Sequence, residues 1–392
     1  MWPQRVLLAA LLLSLCAWTD ARIKFQTPLQ QVLSRQFTNA ELAAHMRRFS
    51  TRCANISRLH TIGSSVRGEP LLALEISSSA GSEDAKPHFK CIANMHGDET
   101  GGRQLLLALA EWLCANYAVD AAARTVVTKT HLWLLPTMNP DGFAAGTRAN
   151  ANGVDLNRNF PDRFGSPPLA LTGLEQPETL AVMNWTLSRQ FTASANMHEG
   201  ALVVNYPFDN TADGSSVYSK AQDDAALRYL AKVYANRNPQ LKTSPVFPGG
   251  ITNGAAWYNV NGGMQDWNYL KAGCFELTLE LWEDKGGADL QVLFDNNLLS
   301  MLDLVLRSTL GGLRGKVRRQ GTGAPLEAKI RVIGSTTMTT STKKFGDFYR
   351  PLAPSATPYL VAVRLPGRTE TRLFNVTIPA SGAGVSLAVT FP

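Results

Sequence analysis

Phe89-Lys90-Cys91-Ile92-Ala93-Asn94-Met95-His96-Gly97-Asp98-Glu99 begins as an apolar run and ends in polar, ligand-bearing groups. Residues 89–93 have the near-continuous apolar character of a strand buried on both faces. Just past its end, an imidazole and a carboxylate stand three residues apart. In open α/β sheets function gathers in loops beyond strand ends, so this stretch predicts both an architecture and the place of its chemistry. Outward from it, strand-like runs at 71–76, 132–135 and 275–281 alternate with helical patterns at 104–117, 177–189, 218–234 and 290–306. That alternation predicts an α/β domain built on a largely buried, mixed sheet. Upstream, Thr38 and Glu41 read as a capping box, with Leu42, Met46 and Phe49 at helical spacing behind it, so a helix is expected to open the domain.

Past Gly311-Gly312 the pattern changes. Short strand-like runs (329–333, 359–364, 385–391) are separated by Gly, Pro, Ser and Thr, which predicts a small β-sandwich. Charge changes at the same place: residues 313–392 carry 12 Lys/Arg against 3 Asp/Glu, net +9, whereas residues 22–312 carry 25 against 27, net −2. At the other end, Arg5, an apolar run over 6–16 and small or polar residues up to Ala21 have the layout of a cleaved secretory leader. The run is too short to span a bilayer, and residues 387–392 lack the long apolar tail of a lipid-anchor signal. The expected organisation is a leader over 1–21, an α/β domain over 22–312 and an all-β domain over 313–392. No transmembrane segment is expected, and the location is extracellular or, alternatively, the lumen of the secretory pathway. Nucleic acid is not an expected natural partner there. The short span between Ala21 and the first expected helix leaves no room for a folded inhibitory segment, so activity without proteolytic activation is expected.

With Cys16 removed alongside the leader, Cys53, Cys91, Cys114 and Cys274 remain. Three full pairings are open, as is a mixture with buried free thiols. Asn55-Ile-Ser57, Asn184-Trp-Thr186 and Asn375-Val-Thr377 are glycosylation sequons and agree with secretion.

His96 and Glu99 alone are a weak metal signal. A third group must come from elsewhere, and Ala193-Ser194-Ala195-Asn196-Met197-His198 delivers another His after small and apolar residues. Two His and one Glu form a catalytic zinc set that leaves a fourth position for water. Between them, residues 153–162 hold Asp155, Asn157 and Arg158; a guanidinium fork beside an amide donor suits a carboxylate. Farther on, Thr278-Leu279-Glu280-Leu281 carries a carboxylate on a strand. Glu276 shares its face, so period two alone does not choose between the two.

Taken together, residues 94–99, 139–143, 153–162, 205–209, 254–266 and 274–281 resemble the metallocarboxypeptidase group containing carboxypeptidases N, E, M and D. Gly315-Lys316-Val317 and residues 345–350 resemble the transthyretin-like domain that follows the catalytic domain in that group. The resemblance covers nearly all of the chain beyond the leader. It implies one Zn²⁺ per chain held by His96, Glu99 and His198, with Asp155 orienting His96. It implies Glu280 as general base, Arg148 beside the scissile carbonyl, Asn157 and Arg158 on the substrate's terminal carboxylate, and Tyr258 closing over it from a mobile loop. Asp209 follows His198 by 11 residues and Gln265 follows Tyr258 by 7, spacings of members that prefer basic ends. The implied substrates are peptide or protein C-termini ending in Arg or Lys.

The chain departs from the group in two places. His198-Glu199-Gly200 stands where relatives have His-Gly-Gly, and Asp98 replaces an Asn. Neither change removes a ligand, the base or the carboxylate clamp. Two other readings keep the fold: a non-catalytic secreted binding protein, or a zinc amidohydrolase acting on a different carboxylate-bearing substrate. Arg314, Lys316, Arg318, Arg319, Lys343 and Lys344 are further expected to form part of a patch for an anionic surface.

Overall fold

The structure, a computed structural model, describes residues 26–335 and 337–392. The expected leader lies outside the described residues. The described residues open with two helices, α1 (Pro28–Ser34) and α2 (Asn39–Arg52). Thr38 and Glu41 form the expected capping box on α2, and Leu42, Met46 and Phe49 are buried behind it. One helix more than the sequence reading therefore precedes the first strand, because Thr27 and Gln30 form a second capping box at α1.

Eight strands build one mixed sheet: β1 (Ser57–Ser64), β2 (Pro70–Ile76), β3 (His88–Ala93), β4 (His131–Leu135), β5 (Phe191–His198), β6 (Ala201–Tyr206), β7 (Ile251–Asn253) and β8 (Phe275–Trp282). Their order is β1-β2-β4-β3-β5-β8-β6-β7. The central run β4-β3-β5-β8 is parallel, and β1-β2, β2-β4 and β6-β8 pair antiparallel. Parallel strands need long crossovers, and helices supply them. The helices between the strands are α3 (Gly101–Asn116), α4 (Ala121–Lys129), α5 (Pro140–Ala145), α6 (Pro177–Ser188), α7 (Asp224–Ala235), α8 (Pro239–Lys242), α9 (Gly254–Trp257) and α10 (Met264–Ala272), and α11 (Leu290–Thr309) follows β8. One core, rich in Leu, Ala and Val, packs α2, α3, α4, α7 and α11 on one face of the sheet. The other face holds an aromatic core that includes Phe160, Trp133, Trp185 and Trp267.

From Leu313 onward all elements are strands: β9 (Leu313–Arg319), β10 (Lys329–Val332), β11 (Thr339–Thr340), β12 (Asp347–Arg350), β13 (Tyr359–Arg364), β14 (Thr371–Val376) and β15 (Val385–Phe391). They form a four-stranded sheet, β11-β10-β13-β14, and a three-stranded sheet, β12-β9-β15. A separate apolar core fills the space between them, with Leu313, Val317, Ile330, Phe348, Val361 and Phe391 at its centre. Strand alternation explains the composition: inward positions are apolar and outward ones mostly polar or basic, with Leu360 and Leu373 as exposed exceptions.

Cys53 and Cys114 are disulfide-bonded, whereas Cys91 and Cys274 are free and buried, so the mixed arrangement left open by the sequence is the one observed. The sequon residues Asn55, Asn184 and Asn375 are all exposed.

Candidate active site

The parallel strands β3, β5 and β8 end side by side, and register places His198 directly opposite Glu280. The loop after β3 brings His96 and Glu99 to the same edge. That loop is held by Asn94, a left-handed residue with φ 55°. Its amide donates to the carbonyls of His96 (2.9 Å), Gly97 (3.1 Å) and Glu99 (3.0 Å), and its Oδ1 accepts from Thr137 Oγ1 at 2.8 Å.

His96, Glu99 and His198 are all buried, with one ligand atom from each within 4.8 Å of the others, so the three could hold a metal ion. Glu99 Oε1 lies 3.0 Å from His96 Nδ1, and Glu99 Oε2 lies 2.8 Å from His198 Nδ1. The second nitrogen of each imidazole is engaged away from the cluster. His96 Nε2 meets Asp155 Oδ1 at 3.0 Å, and His198 Nε2 meets the Asn196 carboxamide at 2.6 Å. An outer partner on the far nitrogen fixes ring orientation and tautomer, which suits a metal-binding imidazole. Burial pushes the Asp155 carboxyl up, but the hydrogen bond and charge of His96 together with the charges of Arg148 and Arg158 outweigh it and hold the group well below the usual range.

A cavity of about 150 Å³ opens beside this cluster, lined by Arg148, Asn157, Asp209, Tyr258 and Glu280 among others. Arg148 lies 3.0 Å from Asp155 and 3.3 Å from Glu99. Asn157 Oδ1 accepts from the Met264 amide at 3.0 Å, leaving its Nδ2 as the group to donate into the cavity. Arg158 is exposed and its Nη1 donates to Asn157 O at 3.0 Å. It does not line the cavity. Tyr258 sits just after α9 and is 40% exposed, with its ring 4.7 Å from that of Trp257.

At the cavity's far end Asp209 is buried, 2% exposed, and accepts from Gln265 Nε2 at 2.8 Å. Gln265 Oε1 in turn accepts from the Thr278 amide at 2.8 Å, which fixes its NH₂ toward Asp209. Among the described residues no Lys, Arg or His nitrogen lies within 4.0 Å of Asp209. Burial pushes its carboxyl up to about 7. Gly254 is required beside it, because a Cβ there would stand 1.9 Å from Asp209 Oδ1.

The two strand carboxylates separate clearly. Glu276 is 3.7 Å from Lys90 Nζ and accepts from Ser194 Oγ at 2.6 Å and from Asn268. Glu280 faces the cavity, its Oε2 buried without a partner, and burial pushes its carboxyl up to about 7.

Glu199 turns away from the cluster. Its carboxylate accepts from the amides of Thr100 (3.2 Å), Gly101 (2.7 Å) and Gly286 (2.7 Å), at the start of α3. Sequence reasoning missed Lys285, whose Nζ lies 2.8 Å from Glu99 Oε1 and 3.6 Å from Asp98 Oδ2. Its position five residues past Glu280, beyond the end of β8, was the available signal. A second, larger cavity of about 740 Å³ lies where the C-terminal strands meet the main sheet. Its polar floor is self-satisfied: Glu75 bonds His60 (2.8 Å) and His131 (2.7 Å), and His131 bonds Asp84 (3.0 Å).

An open mixed α/β sheet with a His/Glu/His cluster and a buried, unpartnered carboxylate at one strand edge defines a metal-dependent hydrolase. The chain belongs to the zinc carboxypeptidase family, whose match spans residues 42–297. It is 44% identical over 343 residues to carboxypeptidase SOL1 of Arabidopsis thaliana, covering 87% of this chain and 70% of that one. It is 39% identical over 364 residues to human carboxypeptidase D, covering 88% of this chain but 26% of that protein. With mouse carboxypeptidase M it shares 38% over 376 residues, 90% of this chain and 83% of that one. The fold matches thrombin activatable fibrinolysis inhibitor (TM-score 0.59, 18% identity, 72% and 77% of the two chains). It also matches carboxypeptidase A from Helicoverpa armigera (TM-score 0.59, 17% identity, 73% and 76%).

Proposed function

We propose that the protein removes single residues from peptide and protein C-termini, with preference for Arg and Lys. The carrying observation is Asp209, a buried carboxylate at the end of the cavity with no cationic partner. An unpaired buried charge is costly, so a C-terminal guanidinium or ammonium is the partner that the pocket favours. Gln265 orients Asp209. Asn157 and Tyr258, which line the cavity, hold the terminal carboxylate with the help of Arg158, which lies outside the lining but whose charge reaches Tyr258 and Asp209, so that only the last peptide bond reaches the cluster.

His96, Glu99 and His198 fit a single Zn²⁺ by donor type and spacing, with Asp155 and Asn196 behind the two imidazoles. When bound there, zinc supplies Lewis acidity for a carbonyl and lowers the pKa of a water. Glu280 accepts the proton of the attacking water and returns it to the leaving amine nitrogen as the C–N bond breaks. Arg148, at the cavity wall, stabilises the oxyanion that forms on the carbonyl oxygen.

The chain divides in this reading into a catalytic unit over 22–312 and a transthyretin-like unit over 313–392. Secretion is supported by the leader-like residues 1–21, the exposed sequons and the Cys53–Cys114 disulfide, which persists in oxidising compartments. No single helix among the described residues is long and apolar enough to cross a membrane. The deciding experiment compares hydrolysis of peptides ending in Arg, Lys, Leu and Glu, with and without a chelator. Chelator-sensitive release of Arg and Lys is expected. Binding without release would favour a non-catalytic role, and release of a different group would favour another amide substrate.

A further inference from the structure

Of the six basic residues that the sequence groups into one patch, only three share a face. Lys343 is paired with Glu327 at 3.3 Å and Lys344 with Glu83 at 3.0 Å. Arg319 falls on the same side of β9 as the buried Val317. Arg314, Lys316 and Arg318 alternate with the core-facing Leu313 and Val317, so all three point outward from the three-stranded sheet.

Alternate residues on a strand are spaced about 7 Å, so the three cations form a row of roughly 13 Å. None of the three lies within 4.0 Å of a carboxylate oxygen among the described residues. Parallel register sets the small side chains of Ser386, Ala388 and Thr390 of β15 beside them; Lys316 is exposed, and Arg314 and Arg318 are half-buried. Arg314 Nε donates across to Ser386 Oγ of β15 at 3.2 Å, and Arg318 Nη1 donates to Gly323 O at 2.7 Å, which fixes the two guanidinium groups at the ends of the row. On the other side, Asp347 of β12 stands opposite Lys316, but it is buried and accepts from Thr342. Tyr349 closes that flank by donating to Ala85 O at 2.7 Å.

We propose that this outer face of β9 and β15 is a docking strip for a linear sulfated polysaccharide. A row of unpaired cations at regular spacing, with hydroxyls beside it and no large apolar side chain, matches repeating anionic groups on an extended chain. A lipid surface would need apolar groups to insert. The exposed Leu360 and Leu373 are instead on β13 and β14 of the opposite sheet.

Heparin is the probe, with intact protein at physiological salt. The variant Arg314→Ser/Lys316→Ser/Arg318→Ser is compared with Lys329→Ser/Arg331→Ser/Arg364→Ser, which removes equal charge from the opposite sheet. The strip variant is expected to bind about tenfold more weakly and with a shallower salt dependence, the other to change less than about twofold. Equal weakening of both would overturn the proposal in favour of net charge alone. Binding to phosphatidylserine vesicles that exceeds heparin binding and ignores the strip would overturn it in favour of lipid. Retained turnover of an Arg-ended peptide reports that the triple variant is folded. If turnover is lost, Lys316→Glu at the exposed centre of the row replaces it and should weaken heparin binding several-fold. An unchanged affinity in that single variant would also overturn the proposal.

Discussion

Glu276 is tied through Oε2 to Lys90, Ser194 and Asn268, its Oε1 lying buried outside the cavity, whereas Glu280 faces the cavity and makes no side-chain hydrogen bond among the described residues. Glu280→Gln is therefore expected to retain metal and lower kcat by about 10³-fold, since a positioned acid–base group contributes on that scale. Glu276→Gln should instead lower Tm while leaving kcat within a few-fold, because breaking one side of a buried ion pair costs about 3–5 kcal/mol. Loss of turnover in a folded Glu276→Gln protein, with Glu280→Gln active, would reverse the assignment. Asp209 yields a pH prediction. Burial holds its carboxyl at about 7 in the fold, above an ordinary value of about 3.9. The ionised form is thus penalised only in the folded state, and stability falls as pH rises from about 4 through about 7, then levels off. Asp209→Asn should raise Tm more at pH 8 than at pH 5, by a gain on the order of 1–3 kcal/mol. The same ionised form is what a basic substrate requires. KM for an Arg-ended peptide should therefore rise below about pH 7 while KM for a Leu-ended one does not, and parallel profiles would assign Asp209 to structure.

The start of α3 carries a similar division of labour. Thr100, at its N-cap, makes no side-chain cap bond, and Glu199 from the end of β5 takes that place on the Thr100 and Gly101 amides. Burial raises the Glu199 carboxyl, and the backbone donors oppose the shift. A carboxylate at a helix N-terminus satisfies amides that have no partner within the helix. Glu199→Ala is expected to cost about 1–2 kcal/mol of stability and to change kcat/KM for an Arg-ended peptide only slightly; denaturant unfolding beside the peptide assay checks both. The departure from His-Gly-Gly was visible in the sequence, but its use was not, because the partner amides lie about a hundred residues earlier. What was legible follows the same logic. β3 and its loop could be read because burial on both faces leaves a largely apolar run and the candidate ligands His96 and Glu99 follow it directly. β1 could not, since it is an edge strand on which Arg58, His60 and Thr61 are partly or fully exposed and break the apolar signal. The helix expected from residue 218 begins at Asp224, because Tyr218 leaves the helical track to donate to Asp224.

Across the whole molecule, the break in composition near Gly312 marked where strands replace helices, yet nothing local disclosed how the C-terminal strands attach to the rest. Beside surface contacts such as Tyr349 to Ala85 and Lys344 to Glu83, the buried part of the attachment includes an ion pair between residues 127 positions apart. Arg350 of β12 donates through Nη2 to both oxygens of Asp223 at 2.8 Å, at the start of α7. Tyr269 (2.7 Å), Ser335 (2.8 Å) and Thr337 (2.6 Å) also donate to Asp223, and the guanidinium lies 4.8 Å over the Phe275 ring. Burial alone would push the Asp223 carboxyl up, but Arg350 together with the hydrogen bonds from Thr337, Tyr269 and Ser335 outweighs it, and the group titrates below its usual range. The depressed value means that the pair's stabilisation is present at neutral pH and is lost as pH falls through the acidic range. Breaking it from one side leaves a charge buried with no partner. Asp223→Ala should therefore cost about 3–5 kcal/mol, and Arg350→Met a similar amount. The double variant Asp223→Leu/Arg350→Met removes both charges and should recover most of that loss, so the cycle over the four proteins yields a large coupling energy. Urea unfolding provides the measurement, with turnover of an Arg-ended peptide in the folded range as a control. Additive losses in the double variant would mean that the strands are held by their apolar contacts instead, and that Asp223 and Arg350 act independently.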